Sequence, residues 1–279
     1  NELIAIGRGA GGGATMTGNQ NICIGKNAGY AMTSGLQNTF IGNNGADAVT
    51  EGVNNNNVGS GSMAIATTPD GTNTFGTQNL VYLTTGNAND AFGGNALYNV
   101  TTGYDNVGIG TATGTAINTG FRNTALGHEA GQVITTGSNN TLLGYAATPS
   151  GATVSNEFTF GNSSVTALRS ADQSIAALSD GRDKTDIVDL PHGLDFINQT
   201  RPVRFKWDIR DGQPGQGKQG TTNYGFIAQE LLEVGDNEEH RLVYESNPDK
   251  LEARYSNLIP MMVKAIQELS DKVKELENK

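Results

Sequence analysis

Glycine stands at positions 25, 42, 59, 76, 93, 110, 127, 144 and 161, nine times at a 17-residue interval without a slip. Gly7 precedes the series one residue out of phase. The residue before each register glycine is apolar: Ile24, Ile41, Val58, Phe75, Phe92, Ile109, Leu126, Leu143 and Phe160. Four residues before it stands Asn (21, 38, 55, 89, 106, 123 and 140), with Thr72 and Glu157 as exceptions. A second glycine lies seven residues ahead of the first at 18, 35, 52, 86, 103, 120 and 137. Glycine at this density excludes a helix. Each repeat has room for a short strand such as Asn123–Leu126 and for two glycine turns. One such unit cannot bury its own apolar residue, whereas stacked units can. The pattern predicts a β-solenoid with the pre-glycine residues as a buried ladder. At about 4.8 Å per strand, nine coils span roughly 43 Å.

One large apolar residue per coil, with small ones such as Ala28, Ala96, Ala130 and Ala147, gives a thin core. That predicts packing of several chains, with a homotrimer supplying the missing burial. The repeats also resemble the Asn-x-x-Ile-Gly-x-x-Ala-Gly head repeats of trimeric adhesins, which form trimeric parallel β-rolls. Asn21–Gly29 and Asn123–Gly131 match that pattern best. The period differs, so a β-roll and an interleaved triple-stranded β-helix both stay open. The acids of this region (Asp47, Glu51, Asp70, Asp90, Asp105, Glu129) are scattered singly. They show neither the repeated pair that glycan hydrolysis needs nor the regular Asp of calcium-binding repeats. No metal ligand or cofactor site is assigned, and His128 reads as a surface residue. Exposed Asn, Thr and Tyr side chains (Tyr30, Tyr98, Tyr104, Tyr145) could meet a host surface glycan or protein receptor.

Composition changes at Ser179. Only four of the 18 basic residues (Arg8, Lys26, Arg122, Arg169) but 30 of the 38 glycines precede it. We therefore divide the chain into a glycine-paced shaft (1–165), a connector (166–178) and a charged block of ordinary composition (179–279), with one or two further strands expected over 163–178. The net charge of −10 argues against nucleic acid as a partner. Cys23 is the single cysteine, which excludes an intrachain disulfide and suits a small apolar filler. No apolar run is long enough to span a membrane. The chain starts at Asn1 without a methionine, as expected for a fragment of a longer protein.

At the boundary stands Ser179-Asp180-Gly181-Arg182-Asp183-Lys184. A serine and a lysine can form a nucleophile–base pair if the lysine is desolvated on folding or assembly. The plain alternative is a Ser/Asp helix cap followed by a solvated charge run. Three further motifs follow in order: Gly193–Pro202 leading to Phe205-Lys206-Trp207, Tyr224–Glu230, and Tyr255–Pro260 leading to Lys264–Leu269. With Ser-Asp-x-Arg-x-Lys they make residues 179–279 resemble the intramolecular chaperone, auto-processing domain of phage tail fibres, tailspikes and endosialidases (peptidase family S74). The same domain occurs in the myelin regulatory factor family. Asp183 departs from the pattern, where the family usually has an apolar residue. The resemblance implies a single-turnover serine endopeptidase acting in cis. Ser179 would attack the carbonyl of Leu178, Lys184 would be the base, and Asp180 and Arg182 would support them structurally.

Within this block a short helix is expected over Leu194–Asn198 and a strand over Val203–Trp207. Asp211–Thr222 reads as a projecting loop, and Tyr224–Val234 as an amphipathic segment. Phe196, Phe205, Trp207 and Phe226 read as core. A helix from about Asn257 carries Ile259, Ile266 and Val273 at heptad a and Met262, Leu269 and Leu276 at d, a short coiled coil. The expected protein is the C-terminal part of a trimeric viral tail fibre or spike, assembled in the host cytoplasm and resident in the virion tail. The alternatives are a glycan-degrading tailspike domain with the same chaperone, or a chaperone kept as a permanent trimerisation cap.

Overall fold

A computed structural model describes residues 2–12, 16–171, 177–208 and 220–279. The chain divides into two units, Asn1–Asn162 and Ser163–Lys279.

The first unit is a β-solenoid. Its ten strands are β1 (Leu3–Ile6), β2 (Asn21–Ile24), β3 (Thr39–Ile41), β4 (Asn56–Val58), β5 (Asn73–Phe75), β6 (Asp90–Phe92), β7 (Val107–Ile109), β8 (Thr124–Leu126), β9 (Thr141–Leu143) and β10 (Phe158–Phe160). They form one sheet in chain order, all parallel. Ile24 pairs with Ile41 and Ile109 with Leu126, the 17-residue register. The first coil is one residue longer and sets Ile6 opposite Ile24, which brings Gly7 into line with the later glycines. Because successive strands of one chain pair with each other, the shaft is a single-chain coil, and the interleaved triple-stranded helix is set aside.

The register glycines turn the chain out of each strand. Gly42 has φ +137°, and a Cβ on it would lie 2.0 Å from the carbonyl oxygen of Gly59 in the next coil. No L side chain fits there.

The interior differs from the expected ladder. Alternation along each three-residue strand turns the middle residue inward and its neighbours outward. Phe40, Ala91, Ala125 and Leu142 are therefore buried, whereas Phe75, Phe92, Ile109, Leu126, Leu143 and Phe160 are exposed. The pre-glycine residues thus form an outer row, not the core. The inward space is filled from across the coil by residues seven places after the glycine: Met32, Val49, Ala66, Leu83, Val100, Ile117 and Ile134. Volumes complement one another. A Cβ on inward-facing Gly108 would sit 2.8 Å from Leu97 Cγ. Cys23 is fully buried, and burial pushes its thiol up to about 11, as befits an inert filler.

Beside this apolar core runs a polar spine. Asn21, Asn38, Asn55, Asn89, Asn106, Asn123 and Asn140 are all buried. Asn106 Nδ2 donates to Asn89 Oδ1 at 3.1 Å and to the Gly120 carbonyl at 2.9 Å. Its own Oδ1 accepts from the backbone N–H and Nδ2 of Asn123. The same bonds recur at Asn38, Asn55, Asn123 and Asn140. Each amide thereby satisfies a strand-entry N–H and a turn carbonyl that water cannot reach.

The second unit opens on 163–171, which holds no strand among its described residues. The further strands expected over 163–178 are not formed among its described residues, and 172–176 lie outside them. Among the described residues four α-helices follow, α1 (Leu194–Ile197), α2 (Ala228–Val234), α3 (Asn237–His240) and α4 (Leu258–Glu277), with two antiparallel ribbons. β11 (Val203–Lys206) pairs with β12 (Thr222–Gly225), and β13 (Val243–Tyr244) with β14 (Glu252–Ala253). Tyr224 belongs to β12, so the amphipathic helix begins only at Ala228. Phe196 is buried with Leu231, Leu242, Val243, Leu258 and Met261, and Phe226 packs against that cluster. Phe205 and Trp207 are half-buried and meet edge-on at 5.4 Å. Most of the loop expected over Asp211–Thr222 lies outside the described residues.

Candidate functional site

The motifs of the second unit hold one another. A Cβ on Gly193 would fall within 2.4–2.5 Å of the Glu268 carboxylate, and Glu268 Oε2 accepts from the Leu194 N–H at 2.8 Å. Glycine at 193 thus lets a carboxylate from α4 cap the start of α1. Arg201 donates to Glu230 through both Nε and a terminal nitrogen. The Tyr255 hydroxyl lies 2.5 Å from where a Cβ on Gly225 would be and accepts from the Phe226 N–H at 3.4 Å. The second, third and fourth motifs are therefore one scaffold.

The first motif is different. Ser179 through Lys184 is exposed throughout, as is Leu178. Asp180 caps a 3-10 turn over Gly181–Asp183, accepting from the Arg182 N–H at 3.0 Å. Arg182 closes a bidentate pair on the same carboxylate. The Arg182 guanidinium holds the Asp180 carboxyl below the usual carboxylate range. The single turn folds the chain back so that Lys184 Nζ donates to Ser179 Oγ at 2.6 Å. Nucleophile and candidate base are thus in contact, and Asp180 and Arg182 pin the turn between them. The shelter from water that a lysine needs to act as a base is not supplied by the described residues of the chain.

Four of the shaft's acids serve structure. Asp70 Oδ1 accepts from the Val53 N–H at 2.8 Å, Asp90 from Asn73, Glu157 from the Ser150 N–H, and Asp105 faces Arg122. A surface depression lined by Glu2, Asn19, Gln20, Leu36 and Gln37 has one carboxylate, where a glycosidase uses two. His128 stacks on Tyr145 at the surface.

Two apolar faces are open to solvent. One is the outer row of the shaft. The other is α4, where Leu258, Met261 and Ala265 are buried but Ile259, Met262, Ile266, Leu269, Val273 and Leu276 are exposed. These six are the heptad positions read from the sequence. Among the described residues no helix is long and apolar enough to cross a membrane. Sequence reasoning missed one cluster: His192, Glu239 and His240 bring a ligand atom each within 4.8 Å of one another.

Residues 179–240 match the family model Peptidase S74, described as the chaperone of endosialidase. No match was found among curated proteins or among solved structures. The match begins at the exposed serine and covers the first three motifs.

Proposed function

We propose that this chain, with its chaperone-of-endosialidase domain opening at Ser179 behind a β-solenoid shaft, is the C-terminal part of a homotrimeric tail fibre or spike. On this reading the second unit gathers three chains, the shafts assemble, and the bond between Leu178 and Ser179 is then cut. The observation that carries the reading is the pair of exposed apolar faces. The shaft presents a pre-glycine row over ten strands, and α4 presents a heptad face, each a repeat that a second and third copy of the same chain can match. A parallel sheet is ordinarily covered on both sides. Copies of this shaft would cover the outer one. Holding chains in register favours such assembly, because pairing distant segments is slow.

On this reading the Ser179–Lys184 turn carries out the cleavage. Ser179 Oγ attacks the Leu178 carbonyl and the C–N bond to Ser179 breaks. Water then releases the Leu178 carboxylate, leaving Ser179 with a free amine. As base, Lys184 would accept the hydroxyl proton, reversing the present donor direction, and must therefore be neutral. Burial of the exposed turn against other chains would favour that state, which ties cutting to completed assembly. Proximity of serine to its own preceding carbonyl supplies part of the rate.

The exposed Ser179–Lys184 turn, with Asp183 beside it, also suits a permanent trimerisation cap. A denaturing gel separates the two. Fragments of 178 and 101 residues from the 279-residue chain, and full-length protein from Ser179→Ala and Lys184→Ala, support cutting. One intact wild-type band supports the cap. Cutting undiminished in either variant removes the dyad, and a monomer by sedimentation equilibrium sinks the trimer.

A further inference from the structure

We propose that His192, Glu239 and His240 form a binding site for a divalent transition-metal ion of the zinc class. His192 stands just ahead of α1, and Glu239 and His240 close α3. His192 Nε2 lies 3.6 Å from Glu239 Oε1, and the rings of His192 and His240 meet edge-on with centroids 4.6 Å apart.

The decisive group is His240. Its Nδ1 lies 2.8 Å from the Asp236 carbonyl oxygen. A carbonyl only accepts, so Nδ1 carries a proton, and in the neutral ring Nε2 holds a bare lone pair. That Nε2 is buried and has no hydrogen-bond partner among the described residues. A histidine that donates one ring N–H to a backbone carbonyl and leaves the other nitrogen open is arranged as metal-binding histidines are. Backbone glycine at 235 allows the ring so close, since a Cβ there would be 3.0 Å from Nδ1.

Zinc with bonds of about 2.0–2.2 Å to nitrogen and oxygen sets tetrahedral ligand atoms about 3.4 Å apart. The His192–Glu239 pair is near that already. The three ligand atoms all lie within 4.8 Å of one another, so the widest separation must close by at most about 1.4 Å, and Glu239 is exposed and free to change rotamer. Two imidazoles and one carboxylate select zinc or its neighbours over magnesium or calcium, which take oxygen ligands. The fourth position is left to water, and the ion would tie the start of α1 to the end of α3. Ring packing of the two histidines on Phe196 accounts for their proximity. It accounts neither for the open Nε2 nor for Glu239.

The test uses the full chain, stripped with a chelator and titrated with zinc. One ion per chain, a zinc-dependent rise in Tm of at least about 4 °C and the visible bands of four-coordinate cobalt(II) are expected. Glu239→Gln and His192→Gln, both at accessible positions, should keep the wild-type circular dichroism and weaken zinc binding at least about tenfold. His128→Gln, far along the sequence in the shaft, should bind as wild type. No zinc binding, an equal response to magnesium, or unchanged affinity in both ligand variants overturns the site, as does loss of binding in His128→Gln.

Discussion

Asn106→Ala probes the polar spine of the shaft. The side chain is fully buried. Its loss removes the acceptor of the Asn123 N–H and the donor to the Gly120 carbonyl. Asn123 Nδ2 keeps its bond to the Gly137 carbonyl, and Asn89 Oδ1 keeps the Asn106 N–H, so two backbone groups are stranded. Each buried unpaired group costs about 1–3 kcal/mol. With the void left by the amide, the expected loss is about 3–5 kcal/mol. That is at least about a hundredfold in local opening. Amide hydrogen exchange of the full chain reads it directly. Peptides covering residues 103–126 should lose protection by that factor, while those covering β2 and β3 keep theirs, since each coil touches its neighbours alone. A change below tenfold in the altered coil would refute the reasoning, because water or relaxation would then be satisfying those groups.

Gly42→Ala places a methyl 2.0 Å from a backbone oxygen at φ +137° and is expected to cost about 2–5 kcal/mol, read as a lower denaturation midpoint. Leu269→Lys, on the exposed heptad face of α4, should leave the chain folded but shift sedimentation toward monomer; an unchanged trimer argues that α4 does not join chains. Glu268→Ala removes the cap of α1 and should lower stability by about 1 kcal/mol, with Glu268→Gln closer to wild type. Burial raises the Asp47 carboxyl above its ordinary value of 3.8. The folded state therefore favours the protonated form, and stability is greatest below that value and falls as pH rises through the folded one. Asp47→Asn should flatten this slope in thermal melts between pH 3 and pH 7, and an unaltered slope would count against it.

Much of this was legible in the sequence, and the failures have physical causes. The 17-residue glycine spacing fixes coil length and parallel register because only glycine tolerates the backbone approach at each turn. It does not fix which strand residue faces in. Ile109 beside Gly108 looks like the core residue, yet a strand alternates, and the inward slot at Gly108 is filled by Leu97. The column Met32, Val49, Ala66, Leu83, Val100, Ile117, Ile134, also 17 residues apart, held the missing signal. The Asn column was visible, but its burial depends on bonds to carbonyls 14 residues ahead, which no local pattern displays. Ser179 and Lys184 were legible because one turn joins them. Their exposure was not, since burial is a property of what surrounds a segment. His192 and His240 meet only because α1 and α3 pack around Phe196.

The spine that stabilises the coils is nearly the same in every coil, which leaves alignment degenerate. A chain that looped out one whole repeat would find equivalent amides and carbonyls waiting 17 residues away. Coils β4 and β5 break this symmetry. Thr74 Oγ1 donates to Asn57 Oδ1 at 2.8 Å in the interior, Asn79 N donates to Ser62 Oγ, and Thr72 interrupts the Asn column. Skipping a repeat would set Asn57 against Ala91, with nothing to donate to it. Each mismatched buried group costs about 1–3 kcal/mol, so these irregular residues work as a key, giving an otherwise uniform ladder one rung that fits a single neighbour.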